Sequence, residues 1–214
     1  MAEETTIKIS AVLFDYGMVL SNVPEATDWR ALERVLGADE RSFQEAYWKY
    51  RDAYDRGALS AASYWETMAR DLEKTVDAEV LKELIDADTA VWTRPNMEMM
   101  EWAARLGRAG IKTGILSNIG DAMELGVLGR FPALAGFNHH TFSHRLGIAK
   151  PDAAIYRHAV EGLGVPAGKI LFVDDREENI EAARAAGMVA VQYLGHPGFV
   201  EEMQRIGLGP LLYV

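Results

Sequence analysis

The stretch Lys169-Ile170-Leu171-Phe172-Val173-Asp174-Asp175 is an apolar, partly β-branched run halted by two adjacent carboxylates. A strand with one wet face alternates apolar and polar residues. A run that is apolar throughout suits a strand covered on both faces, as in a parallel sheet. Three other stretches read the same way: Ala11-Val12-Leu13-Phe14 before Asp15, Thr113-Gly114-Ile115-Leu116 before Ser117, and Val189-Ala190-Val191-Gln192-Tyr193 after Gly187. Helical periods separate them. Met97 to Arg108 sets Met100, Ala103 and Leu106 on one face and closes at Gly110; Ala153 to Gly164 carries Ile155, Ala159 and Leu163; Glu178 to Ala186 ends at Gly187. Glycine just past the last periodic residue is a helix stop. Strands alternating with helices imply βαβ units and an open parallel sheet.

One region breaks the alternation. From Pro24 to Thr93 no strand pattern occurs. Trp29, Leu32, Val35 and Leu36 mark a helix ending at Gly37, and Phe43, Tyr47, Tyr50 and Tyr54 mark one ending at Gly57. Ser60 suits the N-cap of a third, through Tyr64, Trp65 and Met68, while Leu81, Leu84 and Ile85 mark a fourth. The expected fold class is therefore α/β: a Rossmann-like open parallel sheet flanked by helices, with an inserted all-α domain. Residues 1–22 and 95–214 form the core and 23–94 the insert. The aromatic stripe of the insert reads first as helix–helix packing and second as a ligand-facing wall.

The 214 residues fit one domain with an inserted lobe. A formal charge of −10 argues against wrapping nucleic acid or lying on anionic lipid. The absence of cysteine removes disulfides, cysteine nucleophiles and thiolate metal sites together. No apolar stretch reaches the ~18 residues of a spanning helix. The opening Met1-Ala2-Glu3-Glu4 is acidic where a leader would be basic, so the expectation is a cytoplasmic protein. Oligomeric state has no reading in the sequence.

In an open parallel sheet ligands bind beyond the carboxyl ends of the strands. The residues that end these strands should therefore converge: Asp15, Ser117-Asn118 and Asp174-Asp175, with Lys150 joining them if His140-Thr141-Phe142 is a further strand. Three neighbouring carboxylates repel, more so when desolvated, unless a cation lies among them. An all-oxygen cluster suits Mg²⁺, a hard ion that shares its ligands with a phosphate. Lys150 and the Ser117 hydroxyl would then serve the remaining phosphate oxygens. An ionised Asp15 could attack phosphorus directly. Other constellations fail on spacing. Gly164 to Lys169 is one residue short of a P-loop and is followed by Ile170; the glycines around Ser117 lie three residues away, not two; and no Gly-x-Gly-x-x-Gly follows a strand. His139, His140 and His144 make no metal set, because adjacent residues of a strand face opposite sides.

At these positions the chain resembles the haloacid dehalogenase (HAD) superfamily. The resemblance rests on Leu13-Phe14-Asp15-Tyr16-Gly17-Met18-Val19-Leu20, Leu116-Ser117-Asn118, Lys150-Pro151-Asp152, and Phe172-Val173-Asp174-Asp175-Arg176-Glu177-Glu178-Asn179, in the family's order, with the helical insert at the family's cap position. It implies a phosphohydrolase working on a small phosphorylated metabolite through an aspartyl-phosphate. Asp15 would be nucleophile and Mg²⁺ ligand, and the Gly17 carbonyl, Asp175 and Asp174 (direct or through water) further ligands. Ser117, Lys150 and Asn118, with backbone N–H groups around Tyr16 and Gly17, would bind the phosphoryl group.

One residue departs from the pattern. Phosphatases of the family place a second Asp two residues after the nucleophile, as general acid and base; here that residue is Gly17. Such help is typically worth ~10²–10⁴-fold. Two alternatives follow: a 2-haloacid dehalogenase in which Asp15 attacks carbon without metal, disfavoured by Asp174-Asp175, and a catalytically weak member that binds a phosphorylated ligand.

Overall fold

In the computed structural model, which describes residues 8–214, five strands build one sheet: β1 (Ala11–Phe14), β2 (Lys112–Ser117), β3 (His139–Phe142), β4 (Ile170–Asp174) and β5 (Val189–Gln192). Their order is β3-β2-β1-β4-β5, and every pair is parallel. The central strand β1 is buried at all its positions, as its unbroken apolar run requires. Val12 and Phe14 face one layer, with Trp102, Leu106 and Phe199; Ala11 and Leu13 face the other, with Ile155, Tyr156, Ala159 and Ile180. The expectation about Met1 to Glu4 lies outside the described residues. Among the described residues no helix is long and apolar enough to cross a membrane.

Between β1 and β2 run α1 (Ala26–Leu36), α2 (Glu40–Asp55), α3 (Ala61–Asp71), α4 (Ala78–Trp92) and α5 (Met97–Arg108). Helices α1 to α4 pack around their own core of Leu32, Phe43, Tyr47, Tyr54, Tyr64 and Trp65. Their starts carry side-chain caps: Asp39 accepts from the Ser42 N–H, Ser60 from Ser63 and Asp77 from Val80. Most of the aromatic stripe packs inward, the rings of Tyr54 and Tyr64 stacking at 4.9 Å. The lobe leaves and rejoins the sheet at one point, where Ser21 and Pro95 form an antiparallel bridge.

The rest of the chain adds α6 (Asp121–Arg130), α7 (Pro132–Ala135), α8 (Ser143–Leu146), α9 (Ala153–Leu163), α10 (Glu177–Ala185), α11 (His196–Arg205) and a final 3₁₀ turn, Gly209–Tyr213. The sequence marks α5, α9 and α10 to within a residue. It does not mark α6, which carries Gly126 and Gly129. A Cβ on Gly126 would lie 2.2 Å from Thr89 Cγ2 of α4, so close helix packing, not backbone freedom, puts glycine there. The histidines of β3 diverge as the pleat demands: His140 Nε2 meets the Leu134 carbonyl at 2.8 Å, while His139 meets Thr141 and lies beside His158.

Candidate active site

The carboxyl ends of β1, β2 and β4 bring Asp15, Ser117 and Asp174-Asp175 to one edge, and the loop after α8 adds Lys150. Asp15, Ser117, Lys150 and Asp175 line one cavity of about 370 Å³ between the sheet and the helical lobe, and Asp174 is fully buried beside Lys150. Lys150 Nζ stands 2.9 Å from Asp15 Oδ1 and 2.6 Å from Asp174 Oδ2, and all three side chains are buried. Asp174 Oδ1 also accepts from the Arg176 N–H and from Asn179 Nδ2, both at 2.9 Å. Asp175 is half-buried and makes no ion pair among the described residues. Burial pushes the Asp15 carboxyl up to about 7; Lys150 opposes that shift, and Asp174 and Asp175 add to it. Burial also raises Asp175, with Asp174 contributing, while Lys150 stays protonated because its two carboxylates outweigh its desolvation.

Each expected residue can now be located. Asp15 Oδ1 accepts from the Tyr16 N–H at 2.7 Å, leaving Oδ2 without a hydrogen bond among the described residues. That contact engages the Tyr16 N–H, which was expected among the phosphoryl donors. The Tyr16 ring is buried and its hydroxyl donates to the Trp92 carbonyl. Ser117 Oγ is free of hydrogen bonds among the described residues and lines the cavity. Asn118 does something other than expected: its Nδ2 donates to the Lys150 carbonyl at 3.0 Å and its Oδ1 accepts from the Lys150 N–H at 2.8 Å. The side chain clamps the lysine's backbone instead of reaching for an anion. Gly17 takes φ −62°, ψ 133°, open to any residue, and a Cβ there would meet only Trp92, at 3.9 Å. Neither space nor backbone strain accounts for glycine at this position.

Asp15, Asp174 and Asp175 each offer an oxygen, and these oxygens lie within 4.8 Å of one another. One ammonium against three carboxylates leaves excess negative charge in a buried place. An all-oxygen set with that excess fits a hard divalent cation.

The lobe supplies the opposite wall through Trp48, Arg51, Asp52, Asp55 and Trp92. These escape the sequence reading. For Trp48, Arg51, Asp52 and Asp55 the only signal is a spacing of three and four residues along α2, which looks like an ordinary solvated helix face, and Trp92 merely ends α4. Asn179 sits in a quoted motif, but its grip on Asp174 needs the turn of α10 to be seen. Two close approaches seat the lobe. A Cβ on Gly57 (φ +72°) would lie 2.5 Å from the His144 carbonyl, and one on Gly120 2.1 Å from the Tyr54 ring. Arg56 Nη1 meets Asp152 Oδ2 at 2.9 Å, the Ala61 N–H donates to Asp121, and Ser143 Oγ donates to the Asp55 carbonyl.

A parallel α/β sheet with a buried carboxylate at the end of its central strand and a lysine-bridged acidic cluster beside it is an arrangement suited to a hydrolase. The haloacid dehalogenase-like hydrolase family model matches residues 8–187, and the chain belongs to that family. Phosphatase MT3486 of Mycobacterium tuberculosis (strain CDC 1551 / Oshkosh) is 27% identical over 194 residues, covering 86% of this chain and 87% of that protein. A HAD family enzyme of Bacteroides thetaiotaomicron, solved with magnesium and inorganic phosphate, superimposes with a TM-score of 0.72 at 20% identity, over 86% of this chain and 93% of that one. An L-2-haloacid dehalogenase from Xanthobacter autotrophicus superimposes with a TM-score of 0.65 at 20% identity, over 96% and 86%.

Proposed function

We propose that this hydrolase is a Mg²⁺-dependent phosphohydrolase of a small phosphorylated metabolite, acting through an aspartyl-phosphate on Asp15. The observation that carries the reading is Lys150 lodged between Asp15 and Asp174, with Asp175 unpaired at their side. Mg²⁺, held by Asp15, Asp175, Asp174 and the Gly17 carbonyl, would neutralise charge on the transferring phosphoryl oxygens. Asp15 Oδ2, the oxygen without a hydrogen bond, attacks phosphorus as the P–O ester bond breaks and the leaving oxygen takes its proton from water, and a second water then hydrolyses the acyl phosphate to free Asp15 and inorganic phosphate. Lys150 and Ser117 stabilise the phosphoryl oxygens, where most catalysis of this transfer resides. Asn118 fixes the backbone of Lys150, and Asn179 fixes Asp174, so both act by positioning. Residues 23–94 serve as a cap that encloses the ester and excludes water.

The relative named a phosphatase and the neighbour solved with magnesium and phosphate support this reading. It is tested by phosphate release from a panel of monoesters with and without Mg²⁺, using Asp15→Asn as the control. Metal-dependent release that vanishes in the variant is expected; activity retained by Asp15→Asn would sink the mechanism. The dehalogenase neighbour keeps a second reading in view, attack of Asp15 on a halogenated carbon. The acidic pair Asp174-Asp175 speaks against it, and halide release insensitive to EDTA would reverse the order.

A further inference from the structure

We propose that the helical lobe selects esters whose leaving group is small, uncharged and bears a hydroxyl or amide, and rejects those carrying a second anion. The inference rests on the phosphohydrolase reading and names the substrate class of that same site. It comes from the charge balance of the cavity wall opposite Asp15. Arg51 is its only cation among the described residues lining the lobe side, and it is already held. Its Nε donates to Asp55 Oδ1 at 2.9 Å, its Nη1 donates to the Tyr47 hydroxyl, and Nη1 lies 3.6 Å from Asp88 Oδ2. The Tyr47 hydroxyl in turn donates to Asp88 Oδ1 at 2.7 Å. One guanidinium thus faces two carboxylates, and Asp52 adds a third on the same rim, shared with Arg56. Burial pushes the Asp55 carboxyl up to about 6 and raises Asp88 as well, Arg51 opposing both shifts.

On the sheet side the lining cations are Lys150, between Asp15 and Asp174, and Arg176, paired with Glu178. No lining cation among the described residues is left without a carboxylate. A second phosphate or a carboxylate on the leaving group would meet Asp52 and Asp55 across the cavity with every lining cation already paired, and like charges so apposed disfavour binding. What the wall does offer is neutral recognition. Arg51 Nη2 and Asp55 Oδ2 make no hydrogen bonds among the described residues, which leaves a donor and an acceptor on neighbouring side chains. A hydroxyl or amide satisfies both at once. Trp48 and Trp92 add apolar area beside them. The cavity, at about 370 Å³, lies at the small end of ligand sites.

The test compares kcat/KM of the Mg²⁺-loaded full chain on glycerol phosphate, butyl phosphate, phosphoglycolate and phosphoethanolamine. Glycerol phosphate should exceed phosphoglycolate by about tenfold or more and should also exceed butyl phosphate. Asp55→Asn should narrow the glycerol-to-glycolate ratio through the KM of phosphoglycolate. Asp52→Asn, an exposed change with little bearing on folding, should shift it the same way by less. Phosphoglycolate turned over as fast as glycerol phosphate overturns the inference, as does phosphoethanolamine emerging as the best ester. Butyl phosphate matching glycerol phosphate, or a ratio unmoved in both variants, overturns it too. In each case the phosphohydrolase reading stands. Failure of every ester overturns that reading itself, and the selectivity with it.

Discussion

Lys150 stands between two buried carboxylates, and the balance among the three governs how Asp15 behaves. With one oxygen committed to Lys150 and the Tyr16 N–H, Asp15 keeps a single defined direction of approach for its other oxygen. Gly17 is the counterpart to this order: a backbone conformation any residue adopts, with room for a side chain. Gly17→Asp should therefore fold and place a carboxylate two residues from Asp15. The expected gain is up to ~10²-fold in kcat for esters with poor alkoxide leaving groups, against little change for p-nitrophenyl phosphate, whose leaving group needs no proton. The measurement is the ratio of the two rates in variant and parent, and an unchanged ratio counts against acid–base limitation. Asp15, Ser117 and the Asp174-Asp175 pair are legible in the sequence because each ends or directly follows a strand and the sheet does the gathering, while Lys150 is reached through the short helix α8 after β3. Asn179, Arg51 and Asp55 are not, because their partners become neighbours only through tertiary packing.

Helix α2 carries a buried ionic network on a stretch that reads as an ordinary amphipathic helix. Asp55 has the clearest consequence. Its carboxyl ordinarily titrates near 3.8 and is pushed up to about 6 in the fold, desolvation outweighing the attraction of Arg51. The folded state then binds more protons than the unfolded chain across that interval, so this group's contribution to stability falls as pH rises from about 4 to 6. The change is on the order of a few kcal/mol. Denaturant unfolding of wild type and Asp55→Asn, at several pH values, isolates it. The wild-type-minus-variant difference should decline over that window, and a flat or rising difference would contradict the assignment. At this scale the helices with clean apolar periods, α5, α9 and α10, are legible to within a residue. Helix α6 carries two glycines, of which Gly126 serves its contact with α4, a case of packing overriding local propensity.

The molecule as a whole joins a five-stranded parallel sheet to a four-helix lobe that closes over the sheet's carboxyl edge. Four strands of the sheet are readable from sequence because burial on both faces writes the same apolar run into each; edge strand β3, His139 to Phe142, carries no such run, and the seating of the lobe, through Gly57, Gly120 and Arg56, is not readable either. Excess negative charge at the sheet's edge gives a whole-molecule expectation. Mg²⁺ should raise Tm in a concentration-dependent way, by about 2.7 kcal/mol of stability at a hundred times its Kd. Scanning calorimetry with and without EDTA measures this, and Asp175→Asn should abolish most of the shift. A shift that survives in the variant places the ion elsewhere. The lobe enters and leaves through a single antiparallel bridge, Ser21 to Pro95, so the strands never register how much chain passes between those two residues. An insert of another length could join at the same two residues without disturbing the pairing of β1 with β2 and β4 beneath it.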